Sequence, residues 1–162
     1  TALRHLQMGE AAYEAAVTRA FWPARMQRLQ TGPLIDAAPH AEVWLDGGHN
    51  PAAGEALARH LGTLPARPTH LICGMLNTKD IGGYLGPLAA QADRLIALSI
   101  PGEANTLPAE ATAEAAQGVG LHAETAGSAL DAVRRIAADV PQARILICGS
   151  LYLAGGILRE NG

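Results

Sequence analysis

The sequence predicts an α/β domain of three layers, a mostly parallel sheet with helices on both faces. Two observations carry this. Apolar runs of strand length alternate with segments of helical apolar spacing, and the 162 residues are 49% hydrophobic but only 4% aromatic and rich in alanine. Alternation of that kind implies right-handed βαβ crossovers, because parallel neighbours cannot be joined by a tight turn. Thin, alanine-rich helices suit close packing on a sheet, and the length suits one domain with a sizeable core.

From Ala2 to Phe21 the spacing is helical but interrupted at Gly9, predicting one or two helical pieces. "F-W-P-A-R-M-Q-R-L" breaks that pattern at Pro23 and turns extended, which places a boundary near residues 18 to 24. Turn-rich stretches at "T-G-P" and "A-A-P-H" follow, and then the regular alternation begins. "A-E-V-W-L-D" is a strand, and 51–64 a helix with Ala53, Ala56, Leu57, Leu61 and Leu64 on one face. "T-H-L-I-C-G" is the second strand of the series. A helix over 80–91 is weakened by Gly82, Gly83, Gly86 and Pro87.

"D-R-L-I-A-L-S-I" is a third buried strand, followed by a helix over 108–117 with Gly118 as its stop. A short strand at "G-L-H-A" precedes a helix opened by Ser128 and Asp131 as a capping box, with Leu130, Val133, Ile136, Ala137 and Val140 inward. "A-R-I-L-I-C-G" and a helix over 150–159 close the series. The whole is Rossmann-like. In such sheets ligands bind beyond the carboxyl ends of the strands, so the turns after Leu45, Cys73 and Cys148 share one functional edge.

Composition narrows the function. A formal charge of −3 with mixed signs gives no sustained basic surface, so neither nucleic acid nor membrane is expected as a partner. No run of about 18 apolar residues and no basic-then-apolar leader is present, and a soluble, cytoplasmic protein is expected. Cys73 and Cys148, each in "L-I-C-G", read as small buried strand residues rather than a redox pair or metal site. Lys79, in "N-T-K-D", is the only lysine, so no P-loop is encoded, and G-x-G-x-x-G follows none of the strands.

The chemistry gathers at "W-L-D-G-G-H-N-P", residues 44–51. Asp46 ends a strand on the ligand edge, Gly47 and Gly48 allow a tight turn, and His49 and Asn50 project ahead of Pro51. Asp46 is either a turn acid bonding local amides or a ligand contact, and His49 either a solvated loop residue or a site residue. Asn50 reads first as an N-cap. Asp46 and His49 have no third partner nearby, and no metal ligands are assigned in this chain. Arg25 and Arg28 are two surface charges or a phosphate grip, a planar guanidinium being suited to phosphate. Ser150 caps the last helix or helps receive a carboxylate there, with Tyr152 beside it.

In order, "W-P-A-R-M-Q", "L-D-G-G-H-N-P", "G-M-L-N-T-K-D" and "G-S-L-Y-L-A-G" resemble the C-terminal domain of folylpolyglutamate synthase and its bifunctional dihydrofolate synthase form, in the Mur ligase superfamily. Two positions depart: the family usually has glycine at Ala24 and alanine at Gly48. The resemblance implies that residues 1–22 end an N-terminal P-loop ATPase domain of the same polypeptide and form the hinge, and that 23–162 is a domain of the Mur ligase C-terminal type.

It further implies an ATP-dependent acid–amino-acid ligase that phosphorylates a folate or dihydropteroate carboxylate and lets L-glutamate attack the acyl phosphate. Mg2+ would be held mainly by the N-terminal domain, and this chain alone would be inactive. By that likeness Arg25 would reach the ATP phosphates and Asp46 the ribose side. His49 would serve chemistry or glutamate binding in the region between the phosphate and the incoming glutamate, and Ser150 and Tyr152 would face glutamate. Other readings are a cell-wall Mur-type ligase domain, or a stand-alone nucleotide-sensing or interaction domain without catalysis.

Overall fold

A computed structural model describes residues 22–161 and, ahead of them, Gly9, Ala11, Ala12, Glu14 and Ala15. The helical pieces expected in 2–21 lie mainly outside the described residues. The sheet comprises β1 (Gln27–Arg28), β2 (Glu42–Leu45), β3 (Thr69–Cys73), β4 (Arg94–Ala97), β5 (His122–Thr125) and β6 (Arg144–Cys148), in the spatial order β1-β2-β6-β3-β4-β5. Only β1 runs antiparallel, on β2. All other pairings are parallel, as the alternation required.

β3 and β6 are buried at every residue, which is why their sequences are continuous apolar runs rather than alternating ones. Two apolar layers flank them. One gathers Val43, Leu45, Ile72, Ile96, Ile145 and Ile147 under α5 (Ala129–Asp139) and α6 (Leu151–Glu160). The other gathers Leu71, Cys73, Leu95, Leu146 and Cys148 under α2 (Pro51–Thr63), α3 (Ile81–Leu85) and α4 (Ala109–Gly118). The three-layer expectation is met.

Several local expectations are revised. The turn-rich segment contains a short helix, α1 (Pro33–Ala37), which Asn161 anchors: its Oδ1 accepts the buried Leu34 N–H at 2.9 Å and its Nδ2 donates to the Thr31 carbonyl at 2.6 Å. That tie spans nearly the whole chain, so local sequence could not reveal it. On α2 the buried residues are Gly54, Leu57 and Leu61, whereas Ala56 is exposed. Gly54 is pressed so closely on the Tyr84 carbonyl that a β-carbon there would collide with it, and this contact sets the helix's rotation.

The 80–91 helix divides into α3 and a 3-10 turn at Pro87–Ala90, because Pro87 has no N–H to continue the ladder. Strand β4 stops at Ala97, short of the apolar run. Helix α4 ends with Gly118, and the chain turns at Gly120, whose φ is 89°. In α5 Ser128 accepts from Asp131 N–H, while the Asp131 carboxylate pairs with Arg135 four residues on. Cys73 and Cys148 are free, buried and in register on adjacent strands. A hydrogen bond with Cys148, then burial, pushes the Cys73 thiol well up, as befits inert packing residues.

The amino ends of the strands carry paired charges. Glu42 meets Arg28, Arg67 and Arg144 at 3.7, 3.9 and 3.5 Å, and Arg94 meets Asp139 at 3.0 Å and Glu124 at 3.8 Å. Among them His70 is buried, and neither ring nitrogen has a hydrogen-bond partner among the described residues. Burial first, then the Arg94 charge, lowers its pKa, against the opposing pull of Asp93 and Asp139. The folded state therefore holds His70 neutral while the unfolded chain takes up a proton more readily. Stability from this group is complete above the ordinary histidine value of 6.5 and is lost as pH falls through the lowered folded value. Urea unfolding from pH 8 to pH 5 should show this decline, and His70→Leu should flatten it; an unchanged slope would place the loss elsewhere.

Candidate functional site

Strands β2, β6 and β3 are neighbours and parallel, so the turns that follow them emerge side by side. The Asp46 N–H donates to Ile147 and the Gly74 N–H to Cys148, fixing two of these turns on β6. The antiparallel β1 then brings the preceding loop, with Arg25, to the same edge. Arg25, Met26, Asp46 and His49 line one open groove of about 400 Å3, continued along α2 by Ala56 and His60. Arg25, Asp46 and His49 thus come together, although the first lies far from the others in sequence.

Asp46 is 6% exposed, and both of its oxygens are engaged. Oδ1 accepts the Gly48 N–H at 2.7 Å and Oδ2 the Met26 N–H at 2.8 Å. Both oxygens thus accept main-chain amides, one local and one from a residue twenty positions away. Asparagine would not preserve this pattern, since its amide nitrogen would face an N–H donor. Gly47 is confined by Leu151 and the Arg25 guanidinium, leaving no room for a side chain, and its N–H donates to the Ala24 carbonyl at 2.9 Å.

His49 is half-buried, with Nδ1 2.9 Å from the Gly47 carbonyl. A carbonyl only accepts, so Nδ1 must carry the proton, and in the neutral ring Nε2 keeps a free lone pair. Asn50 is the N-cap of α2, accepting the Ala53 N–H at 2.9 Å.

The two arginines part company. Arg28 lies on the sheet edge, paired with Glu42 and 5.9 Å from the centre of the Trp44 ring. Arg25 is exposed, has no acidic partner among the described residues, and bonds through its side chain only to the Ala24 carbonyl, at 3.2 Å. Ser150 is buried and caps α6 by accepting the Tyr152 N–H at 3.0 Å. Tyr152 is 60% exposed and lines a second groove, of about 450 Å3, with Pro101, Glu103 and Arg159. Leu151, seated on Gly47, stands between the two grooves, so Tyr152 and His49 do not line a common one.

His60 was missed in the sequence, although Ala53, Ala56, Leu57 and His60 follow helical spacing along the groove. Among the described residues no three His, Cys, Asp or Glu side chains are grouped to hold a metal ion, and no helix is long and apolar enough to cross a membrane.

A mostly parallel sheet thus carries at its carboxyl edge a glycine-walled groove lined by Arg25, Asp46 and His49. Residues 24–151 match the family described as Mur ligase, glutamate ligase domain, and the chain belongs to that family. A folylpolyglutamate synthase of Lacticaseibacillus casei is 34% identical over 137 residues, covering 84% of this chain and 29% of that protein. The structure of Escherichia coli FolC in complex with DHPP and ADP superposes with a TM-score of 0.77 at 25% identity, covering 94% of this chain and 34% of that one. Mycobacterium tuberculosis folylpolyglutamate synthase, complexed with ADP and AMPPCP, gives 0.79 at 28% identity, covering 94% of this chain and 35% of the other. The chain thus spans about a third of the length of these relatives.

Long-range proton–nitrogen NMR at neutral pH should report His49 protonated on Nδ1 with Nε2 bare. A dominant Nε2–H form would mean that the bond to Gly47 is not made.

Proposed function

We propose that this chain is the C-terminal domain of an ATP-dependent ligase that adds L-glutamate to folate, and to dihydropteroate. Residues 1–22 would be the end of a P-loop ATPase domain and the hinge. ATP would transfer its terminal phosphoryl group to the acceptor's carboxylate. The glutamate amine would then displace phosphate from the acyl phosphate, leaving an amide, ADP and inorganic phosphate. The observation that carries the reading is the state of Arg25. The strand arginines Arg28, Arg94 and Arg144 each pair with an acid, yet Arg25, in the loop before β1, stands without an acidic partner among the described residues over a glycine turn, beside a histidine with a free nitrogen.

In this reading Arg25 donates to phosphate oxygens as charge builds during transfer, a task for which its planar fork is suited. His49 Nε2 accepts a hydrogen bond or a proton from the incoming ammonium. Ser150 holds the α6 terminus, and Tyr152 faces glutamate from the neighbouring groove. Magnesium would supply charge neutralisation for the transferring phosphoryl group. This chain's nearby carboxylates do not suit it, because Asp46 is committed to backbone amides and Asp80 caps α3, so the ion falls to the P-loop domain. A cytoplasmic setting accords with such chemistry.

In the full-length enzyme, Arg25→Ala should lower glutamate-dependent ADP release by roughly a hundredfold, about 3 kcal/mol of transition-state stabilisation. Arg28→Ala should change it by no more than about threefold, because its partners are Glu42 and Trp44. Equal, small losses at both positions would remove Arg25 from the site. His49→Ala should impair turnover or glutamate KM while leaving the affinity for ATP near normal. Unchanged kinetics would refute its role.

A further inference from the structure

We infer that Asp46 is a positioning residue whose buried carboxylate fixes the strained backbone that presents Arg25, and that it acts on the nucleotide through that arginine. This rests on the proposed phosphate-binding role of Arg25. Ala24 and Met26, on either side of Arg25, have φ of 54° and 41°, in the left-handed region that non-glycine residues avoid. Such residues are strained, so the conformation persists only where neighbours over-determine it.

Three bonds do so. Met26 N–H is held by Asp46 Oδ2 at 2.8 Å, Ala24 N–H by Gln27 Oε1 at 2.9 Å, and the Ala24 carbonyl by Gly47 N–H at 2.9 Å. Only the first uses a full charge, which makes it the strongest of the set. That Ala24 carbonyl, fixed by the Gly47 N–H, also receives Arg25 Nη1 at 3.2 Å, so the strained turn orients the guanidinium as well as the backbone.

Two facts separate positioning from direct contact. Asp46 is 6% exposed, while Arg25 is exposed, so a ligand in the groove meets the arginine and little of the carboxylate. Both Asp46 oxygens are already satisfied by main-chain N–H groups, one from each of the loops being joined. The carboxylate therefore staples the Arg25 loop to the turn that carries His49.

The test is a double-mutant cycle in the full-length enzyme, read as kcat/KM for ATP with thermal melting alongside. Asp46→Asn should lower kcat/KM by about 30-fold, the scale of one charge-assisted bond, while the Arg25→Ala, Asp46→Asn double variant should lie within about threefold of Arg25→Ala alone. A merely structural role would shift melting and leave no such coupling. Losses that multiply, or an Asp46→Asn enzyme with normal kcat/KM, would overturn the inference. A silent Arg25→Ala would instead sink the underlying site reading, so the two failures are distinguishable. If Asp46→Asn does not fold, Gln27→Leu loosens the same loop from its other side. Its smaller loss should likewise vanish in the Arg25→Ala background, and a loss that persists there would count against positioning.

Discussion

The last strand of the chain is the one on which the rest depends. β6 lies between β2 and β3, so until residues 144–148 insert, neither neighbour has its inner partner and the sheet is two fragments. It is buried at all five positions, and its carbonyls at Ile147 and Cys148 receive the amides that begin the turns after β2 and β3. Beyond it, Gly149 turns at φ 101° with no room for a β-carbon against the Cys73 sulfur and the Gly74 carbonyl. Packing of the core and registration of the functional edge are therefore one event. A shift of β6 by one residue would exchange the side chains facing its two apolar layers and misplace Asp46 relative to α6.

From that constraint follows an asymmetry between the ends of the sheet. At the amino ends, acids and arginines neutralise one another around Glu42 and Arg94, with buried His70 kept neutral among them. At the carboxyl end Asp46 gives its charge to backbone amides, not to the arginine beside it. Had the carboxylate paired with Arg25, the guanidinium would be neutralised in advance and would bind phosphate less strongly. By accepting N–H groups instead, the acid shapes the loop and leaves the cation unspent.

Much of the fold was legible because its signals are local. Apolar runs marked β2, β3, β4 and β6, Asn50 and Ser128 marked helix starts, and the rule for parallel sheets located the edge. What escaped was set by contacts distant in sequence. Helix α1 needs Asn161, the rotation of α2 needs the Tyr84 carbonyl against Gly54, and the pairing of Cys73 with Cys148 needs the strand order. The site divided in the same way. "D-G-G-H-N-P" announced a polar turn, but whether Asp46 bonded amides or a ligand turned on Met26, which arrives on an antiparallel strand that no local pattern assigns to that place. Arg25 and Arg28 were indistinguishable as a pair of charges until β1 sent one to Trp44 and the other to the groove.

The strained backbone at Ala24 then acquires a physical meaning. Ala24 holds a φ of 54°, an angle that glycine adopts without cost and alanine does not. Alanine there costs conformational energy but gains a buried methyl group, Ala24 being 4% exposed in the core cluster. It also narrows the alternatives open to the loop, because glycine would allow many conformations beside the one observed. Alanine at this angle therefore costs stability relative to glycine but favours a single presentation of Arg25, provided that something holds the strained form. That something is the Asp46 carboxylate, with Gln27 and Gly47, and the strain at Ala24 is tolerable because the clamp is complete.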